Sequence, residues 1–175
     1  MRLINLFAVA QEADEEFLAD WEGARESLAA EEGFASITLY RALRSDVEFR
    51  FADLARVDGA RFAAHPSAYE VVHEEGAPDG SEGVTLINPF EVPADEDERF
   101  VVGWERARAV LADQRGYLGT RLHRSVGAAD FRFVNVARWS SPLMFSRATQ
   151  RPEFREAGAG IPYPAHPALY TAVRS

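Results

Sequence analysis

Apolar residues recur at the same helical spacing in two separate stretches of the chain. Phe17, Trp21, Ala24 and Leu28 draw one stripe, and Phe100, Trp104, Ala107 and Leu111 draw another. Steps of three and four residues bring side chains onto one face of a 3.6-residue helix. They predict amphipathic helices over residues 15–31 and 97–113, each burying one face. Asp95, Glu96, Asp97 and Glu98 crowd the start of the second helix, where carboxylates favour the positive end of the helix dipole. After each helix the period changes to two. Phe49, Phe51, Asp53, Ala55 and Val57 share one face of a predicted strand, and Phe131, Phe133, Asn135, Ala137 and Trp139 share the same face of its counterpart. Residues 35–43 and 118–126 precede these strands across short polar turns, as the first arms of hairpins.

These parallels belong to one long repeat. Ile4-Asn5-Leu6-Phe7-Ala8-Val9 returns as Ile87-Asn88-Pro89-Phe90-Glu91-Val92, a shift of 83 positions that holds through Glu22, Arg25 and Gly33 to Glu105, Arg108 and Gly116. Near the ends, Ala64-His65-Pro66 and Tyr69 return as Ala165-His166-Pro167 and Tyr170. A repeat of this length is a duplicated subdomain. The run Glu-Gly-Ala-Pro-Asp-Gly-Ser-Glu, rich in turn formers, divides it, giving a first repeat over residues 1–74, a linker over 75–82 and a second repeat over 83–175. The copies differ where a second helix belongs. Ser141-Pro142 forms an N-cap and first-turn pair that opens a helix through Met144 and Phe145, and a shorter one is expected over residues 153–157. The corresponding stretch of the first copy is about 19 residues shorter, so that copy should lack the covering helix.

Composition narrows the chemistry. The chain has 175 residues and no cysteine, which excludes a disulfide framework, a thiolate metal site and a cysteine nucleophile. A net charge of −9 argues against nucleic-acid and anionic-membrane partners, since phosphate binding needs clustered cations. With no apolar leader and no long apolar run, a cytoplasmic protein is expected.

The tandem βαββαβ pattern resembles the antibiotic biosynthesis monooxygenases. The resemblance rests on Ile87-Asn88-Pro89-Phe90-Glu91-Val92, on the strand from Phe131 to Trp139 and on Pro164-Ala165-His166-Pro167-Ala168-Leu169-Tyr170. It spans nearly all of residues 84–174 and, more loosely, residues 2–74. Members are about half this length and pair as a dimeric α+β barrel. The resemblance therefore implies an α+β fold in which two ferredoxin-like βαββ(α)β repeats form that barrel within one chain, the first without its second helix. It further implies a cofactor-independent oxygenase that turns aromatic anthrone-like substrates into quinones with O2. The catalytic positions it carries over are Asn88, Asn135 and Trp139, with Phe90, Phe133, His123, Phe145 and Arg155 around the substrate. A tyrosine found in some family pockets is Phe145 here. A small aromatic molecule and O2 are the implied partners, with no cofactor and no metal. A second copy of the chain could cover the open sheet face of the first repeat.

An anthrone suits such a protein because its carbanion is delocalised over fused rings and a carbonyl oxygen and can itself reduce O2. The protein then supplies an apolar slot, donors for the developing oxyanion and a proton route. Asn135 and Trp139 are four apart on one strand face, roughly 13 Å between Cα atoms, which is a slot of fused-ring length. The repeat provides an internal control. Trp21 with Trp104 and Phe51 with Phe133 are kept in both copies and serve the architecture, whereas Asn135 and Trp139 face Asp53 and Val57, so only the second copy is expected to be active. Asn5 is kept opposite Asn88, which also allows Asn88 an architectural role. Among the histidines, His65 and His166 precede proline at equivalent positions and read as structural. His73 reads as a surface residue at a strand end, and His123, on a face with Arg121 and Tyr117, could titrate inside the pocket.

Three rivals share the fold. Haem-degrading relatives need an axial histidine, and Gly158 stands at that position. An aromatic polyketide cyclase would use Arg50 and Asp53 in Phe49-Arg50-Phe51-Ala52-Asp53-Leu54. A non-catalytic binder of aromatic or quinone ligands would keep the pocket without turnover.

Overall fold

Each half of the chain builds the same unit in the computed structural model, which describes residues 1–58, 66–78, 80 and 82–175. Strand β1 (Arg2–Phe7) is followed by helix α1 (Asp14–Ala29), then β2 (Phe34–Ala42), β3 (Phe51–Val57) and β4 (Ala68–Gly76). The second half repeats this as β5 (Val84–Phe90), α2 (Asp97–Ala112), β6 (Tyr117–Ser125), β7 (Phe133–Trp139) and β8 (Ala168–Arg174). Between β7 and β8 it inserts α3 (Pro142–Thr149) and α4 (Pro152–Gly158), whereas among the described residues no helix joins β3 to β4. Ser141 caps α3 as expected, its hydroxyl accepting from the Met144 amide at 3.3 Å. His65 lies outside the described residues.

The eight strands close into a barrel in the order β1-β3-β2-β8-β5-β7-β6-β4. The last strand of each repeat is therefore given to the other: β4 pairs with β6, and β8 pairs with β2. This is the dimeric α+β barrel of two ferredoxin-like repeats, folded from one chain. The pseudo-twofold is visible in single atoms. Tyr69 donates its hydroxyl to the Phe131 carbonyl at 2.9 Å, and its mate Tyr170 donates to the Phe49 carbonyl at 2.8 Å. Phe49 and Phe131 meet each other edge-on, 5.5 Å between ring centres. Both rings thus sit just before β3 and β7 and not within them, because they pack across the twofold and not toward a helix.

The helix-to-sheet seams are equally matched. Phe17 stacks on Phe51 at 4.5 Å and Phe100 on Phe133 at 4.4 Å, each pair inclined at 26°. Asp14 at the start of α1 takes two hydrogen bonds from Arg50 (2.7 and 2.6 Å), and Asp97 at the start of α2 takes two from Arg132 (2.9 and 2.6 Å). The Arg50 guanidinium holds the Asp14 carboxyl below the usual carboxylate range. Gly33 and Gly116 turn the chain after their helices with φ of 90° and 91°, a backbone region open to glycine. The two stripes differ in cover. On α2, Phe100, Trp104 and Ala107 are buried, whereas on α1 only Trp21 is buried; α4 packs on α2, and among the described residues no helix has the equivalent place on α1.

His166 latches the two repeats. Its two ring nitrogens meet Glu48 of the first and, at 2.8 Å, Glu91 of the second, so both donate and the ring is an imidazolium. Burial works against that charge, but the hydrogen bonds that the ring donates to Glu91 and Glu48 outweigh it and raise the pKa. A raised folded-state pKa means the latch contributes fully below the ordinary histidine pKa of about 6.5, and that its contribution is lost as pH rises through the folded value. Thermal melts from pH 5.5 to 8.5 should show a drop in the parent that is absent in His166→Gln; parallel curves for the two would contradict it.

Candidate functional site

The space between α2, α3, α4 and the outer face of the second repeat's sheet is a cavity of about 380 Å³, within the range of small-molecule pockets. Its floor is built by strand alternation: Leu86, Asn88 and Phe90 from β5, Thr120 from β6, and Asn135 and Ala137 from β7. Its walls are mostly carbon. Trp104, Ala107 and Leu111 come from α2, Phe145 from α3, Phe154 from α4, and Ile161 from the segment that returns to β8.

Two amides lie side by side on this floor. Asn88 and Asn135 are direct partners in the β5–β7 pairing, which places Cβ atoms about 5 Å apart on one face. The Thr120 hydroxyl donates to Asn135 Oδ1 at 2.6 Å, leaving the NH2 end of that amide for a ligand. Asn88 Oδ1 is buried and has no hydrogen-bond partner among the described residues, a state that costs about 1–3 kcal/mol. The floor thus offers the Asn135 NH2 as a donor, with the half-buried Asn88 amide beside it. In the first repeat, the same pairing joins Asn5 to Asp53. There Asn5 Nδ2 donates to Asp53 Oδ1 at 2.7 Å and Trp21 Nε1 to Asp53 Oδ2 at 2.9 Å, so a carboxylate stands there in place of the second amide.

Similarity to known proteins agrees with this geometry. The sequence model of the antibiotic biosynthesis monooxygenase family matches residues 1–53 and 83–160. The chain belongs to that family. Among solved structures, an anthrone oxidase-like protein superposes with a TM-score of 0.73 over 99% of this chain and 91% of its own, at 14% identity. LmHde, a haem-degrading enzyme from Listeria monocytogenes, gives 0.56 over 97% of each chain at 16% identity. A major regulator of staphylococcal pathogenesis gives 0.59 over 99% of each chain at 13% identity. At these identities the likeness is one of fold. No curated protein sequence matches the chain.

Within this family member, the cavity brings together four of the expected residues, Asn88, Asn135, Phe90 and Phe145, and leaves four outside. Trp139 is fully buried behind the wall, its ring 5.4 Å from Tyr117 and 5.5 Å from Phe145, and acts as backing for both. Phe133 is likewise fully buried in the stack with Phe100. Arg155 is exposed on α4, because Phe154 and Gly158, four apart, take the inward face of that helix. His123 points into the barrel, where its Nδ1 lies 3.1 Å from the Val134 carbonyl. Burial drives its pKa down to about 3, so it is a neutral core side chain. A register shift between Tyr117 and Gly119 separates the two residues: it puts Tyr117 on the cavity side and His123 on the barrel side.

Tyr117, Thr120, Thr149, Arg108 and Tyr163 are cavity residues beyond the expected set. Arg108 carried a signal, being kept opposite Arg25 with Glu105 opposite Glu22, and both arginines do pair with those glutamates. Among the described residues, the cavity lining contains no histidine, cysteine or methionine, so these residues offer haem iron neither imidazole nor sulfur. Gly158 indeed lines it. Among the described residues no group of three or more His, Cys, Asp or Glu could hold a metal, and no helix is long and apolar enough to cross a membrane.

Proposed function

We propose that the protein is a cofactor-independent monooxygenase that oxidises an anthrone-like aromatic polycycle to a quinone. The observation that carries this reading is the pair of amides on the floor of an apolar cavity, with Asn135 fixed as a donor by Thr120. The Asn135 amide would donate to the substrate carbonyl as it becomes an enolate oxygen, with the Asn88 amide beside it on the floor. Loss of a proton from the ring methylene to solvent gives the delocalised carbanion. One electron passes from that anion to O2 and the radical pair combines to a peroxide at carbon, which takes a proton back from solvent. Loss of water leaves the new carbonyl, so one oxygen atom enters the product and the other leaves as water. Trp139 supports the slot through Phe145 and Tyr117, and Phe90 forms part of its wall.

Cyclisation on the first repeat's strand has less support, since Arg50 is held by Asp14 and Asp53 by Asn5 and Trp21. The decisive assay is oxygen uptake with dithranol, under air and under nitrogen, corrected for uncatalysed oxidation. One O2 consumed per anthrone and one 18O atom in the quinone are expected under labelled oxygen. An oxygen-independent isomerisation, or tight binding with no turnover, would replace this reading by the cyclase or the binder.

A further inference from the structure

Through β4 the first repeat touches two residues that line the second repeat's cavity. Pairing sets Glu75 opposite Thr120 and His73 opposite Leu122, so both lie on the face turned toward α2. The Glu75 carboxylate accepts from the Tyr117 hydroxyl at 2.7 Å through Oε1 and from Arg108 through Oε2. Tyr117 and Arg108 both line the cavity. Arg108 is also tied through Nε to Glu105 at 2.7 Å, and His73 Nδ1 lies 2.9 Å from that same glutamate. Close approach of the strands allows this reach. Gly76 has a φ of +66°, and a Cβ there would come within 2.5 Å of the Leu118 carbonyl oxygen.

A phenol has one hydrogen to give. Tyr117 gives it to Glu75, so toward the cavity its oxygen can only accept. Burial, helped by the bond to Glu75, pushes this phenol well above its ordinary pKa, and it stays protonated at physiological pH. Phe145 offers no hydroxyl, and the phenols that line the cavity are Tyr117 from β6 and Tyr163, whose hydroxyl donates to Glu96 at 2.6 Å.

We infer that Glu75 is a positioning residue for the second repeat's cavity, holding Tyr117 as a hydrogen-bond acceptor that selects aromatic ligands bearing a phenolic hydroxyl. The first repeat then completes the site as well as closing the barrel. This rests on the aromatic-ligand reading above, but its test reads binding and not turnover.

Quenching of tryptophan fluorescence, with Trp104 in the wall, gives the affinity of the whole chain for 1,8-dihydroxyanthraquinone and for unsubstituted anthraquinone. The parent should prefer the hydroxylated probe about tenfold, the worth of one hydrogen bond. Tyr117→Phe and Glu75→Ala should each remove that preference while leaving the unsubstituted probe's affinity within about twofold. The double variant should lose no more than either single one. Glu75→Gln keeps an acceptor oxygen for the phenol and should retain most of the preference. If Glu75→Ala does not fold, Tyr117→Phe against Glu75→Gln makes the same comparison. Equal affinities in the parent, equal losses for both probes, or additive losses in the double variant would overturn the inference. Binding with the expected preference but without oxygen uptake overturns only the oxygenase, and a parent that binds neither probe overturns both.

Discussion

Asn135→Ala is expected to lower turnover of an anthrone by roughly 10²–10³-fold, the usual cost of losing one preorganised oxyanion donor. The protein should stay folded. The hydroxyl of Thr120, which now donates to Asn135 Oδ1, has a second acceptor within reach in the Val136 carbonyl at 3.2 Å, so the substitution strands no buried donor. Binding of a quinone product should change far less than kcat, because the amide matters most when negative charge has developed on oxygen. Thr120→Val gives a graded control. It leaves the amide in place but removes the bond that fixes its orientation, and a loss of about tenfold is expected from that hydrogen bond alone. Steady-state oxygen uptake alongside a melting curve reads both. A kcat within threefold of the parent for Asn135→Ala would remove this amide from the mechanism.

The fold was legible because the chain solves the same packing problem twice. Trp21 and Trp104, Phe51 and Phe133, or Gly33 and Gly116 could be paired by eye, and each pair occupies equivalent ground in the barrel. Strand pairing of the two asparagines followed from the same regularity, since alternation over β5 and β7 is unbroken. Reading failed where regularity is broken. A bulge at Leu118 inverts the faces of β6, sending His123 into the barrel and bringing Tyr117 to the cavity, and nothing in a period-two pattern marks such a shift. The expectation for Arg155 rests on the family resemblance, and the seven-residue α4 is too short for its phase to show that Phe154 and Gly158 take the inward face instead. Trp139 keeps to the expected face, but the rings of Tyr117 and Phe145 come between it and the cavity, a matter of layering that strand position alone does not reveal.

Glu75 shows the same limit from another side. It opens a run of turn formers and read as linker, yet β4 extends through Gly76 and is paired with β6 to its end. The exchange of last strands between repeats is what converts a residue at the edge of one copy into a wall support of the other. Divergence between the copies therefore does not make the first one dispensable: it retains the scaffold and supplies β4.

Gly158→Leu should abolish ligand binding while leaving the fold as stable as before or more so. Gly158 is the last residue of α4, lines the cavity, and a Cβ built on it meets no atom within 4 Å. The space that receives the new side chain is the space a ligand would need. Replacing a helical glycine by leucine also gains roughly 0.5–1 kcal/mol of helix propensity, and the added carbons contact the apolar walls of Phe145 and Phe154. The two effects have opposite signs, so the result does not resemble general damage: the melting temperature holds or rises as affinity falls by 100-fold or more, the scale on which a filled pocket excludes a rigid ring system. Gly158→Ala adds only a methyl group and should gain most of the helix stabilisation with little loss of affinity. Were Gly158→Leu to bind the dihydroxyanthraquinone as tightly as the parent, the ligand would lie elsewhere, and the amide pair on the floor of this cavity would lose its claim to the chemistry.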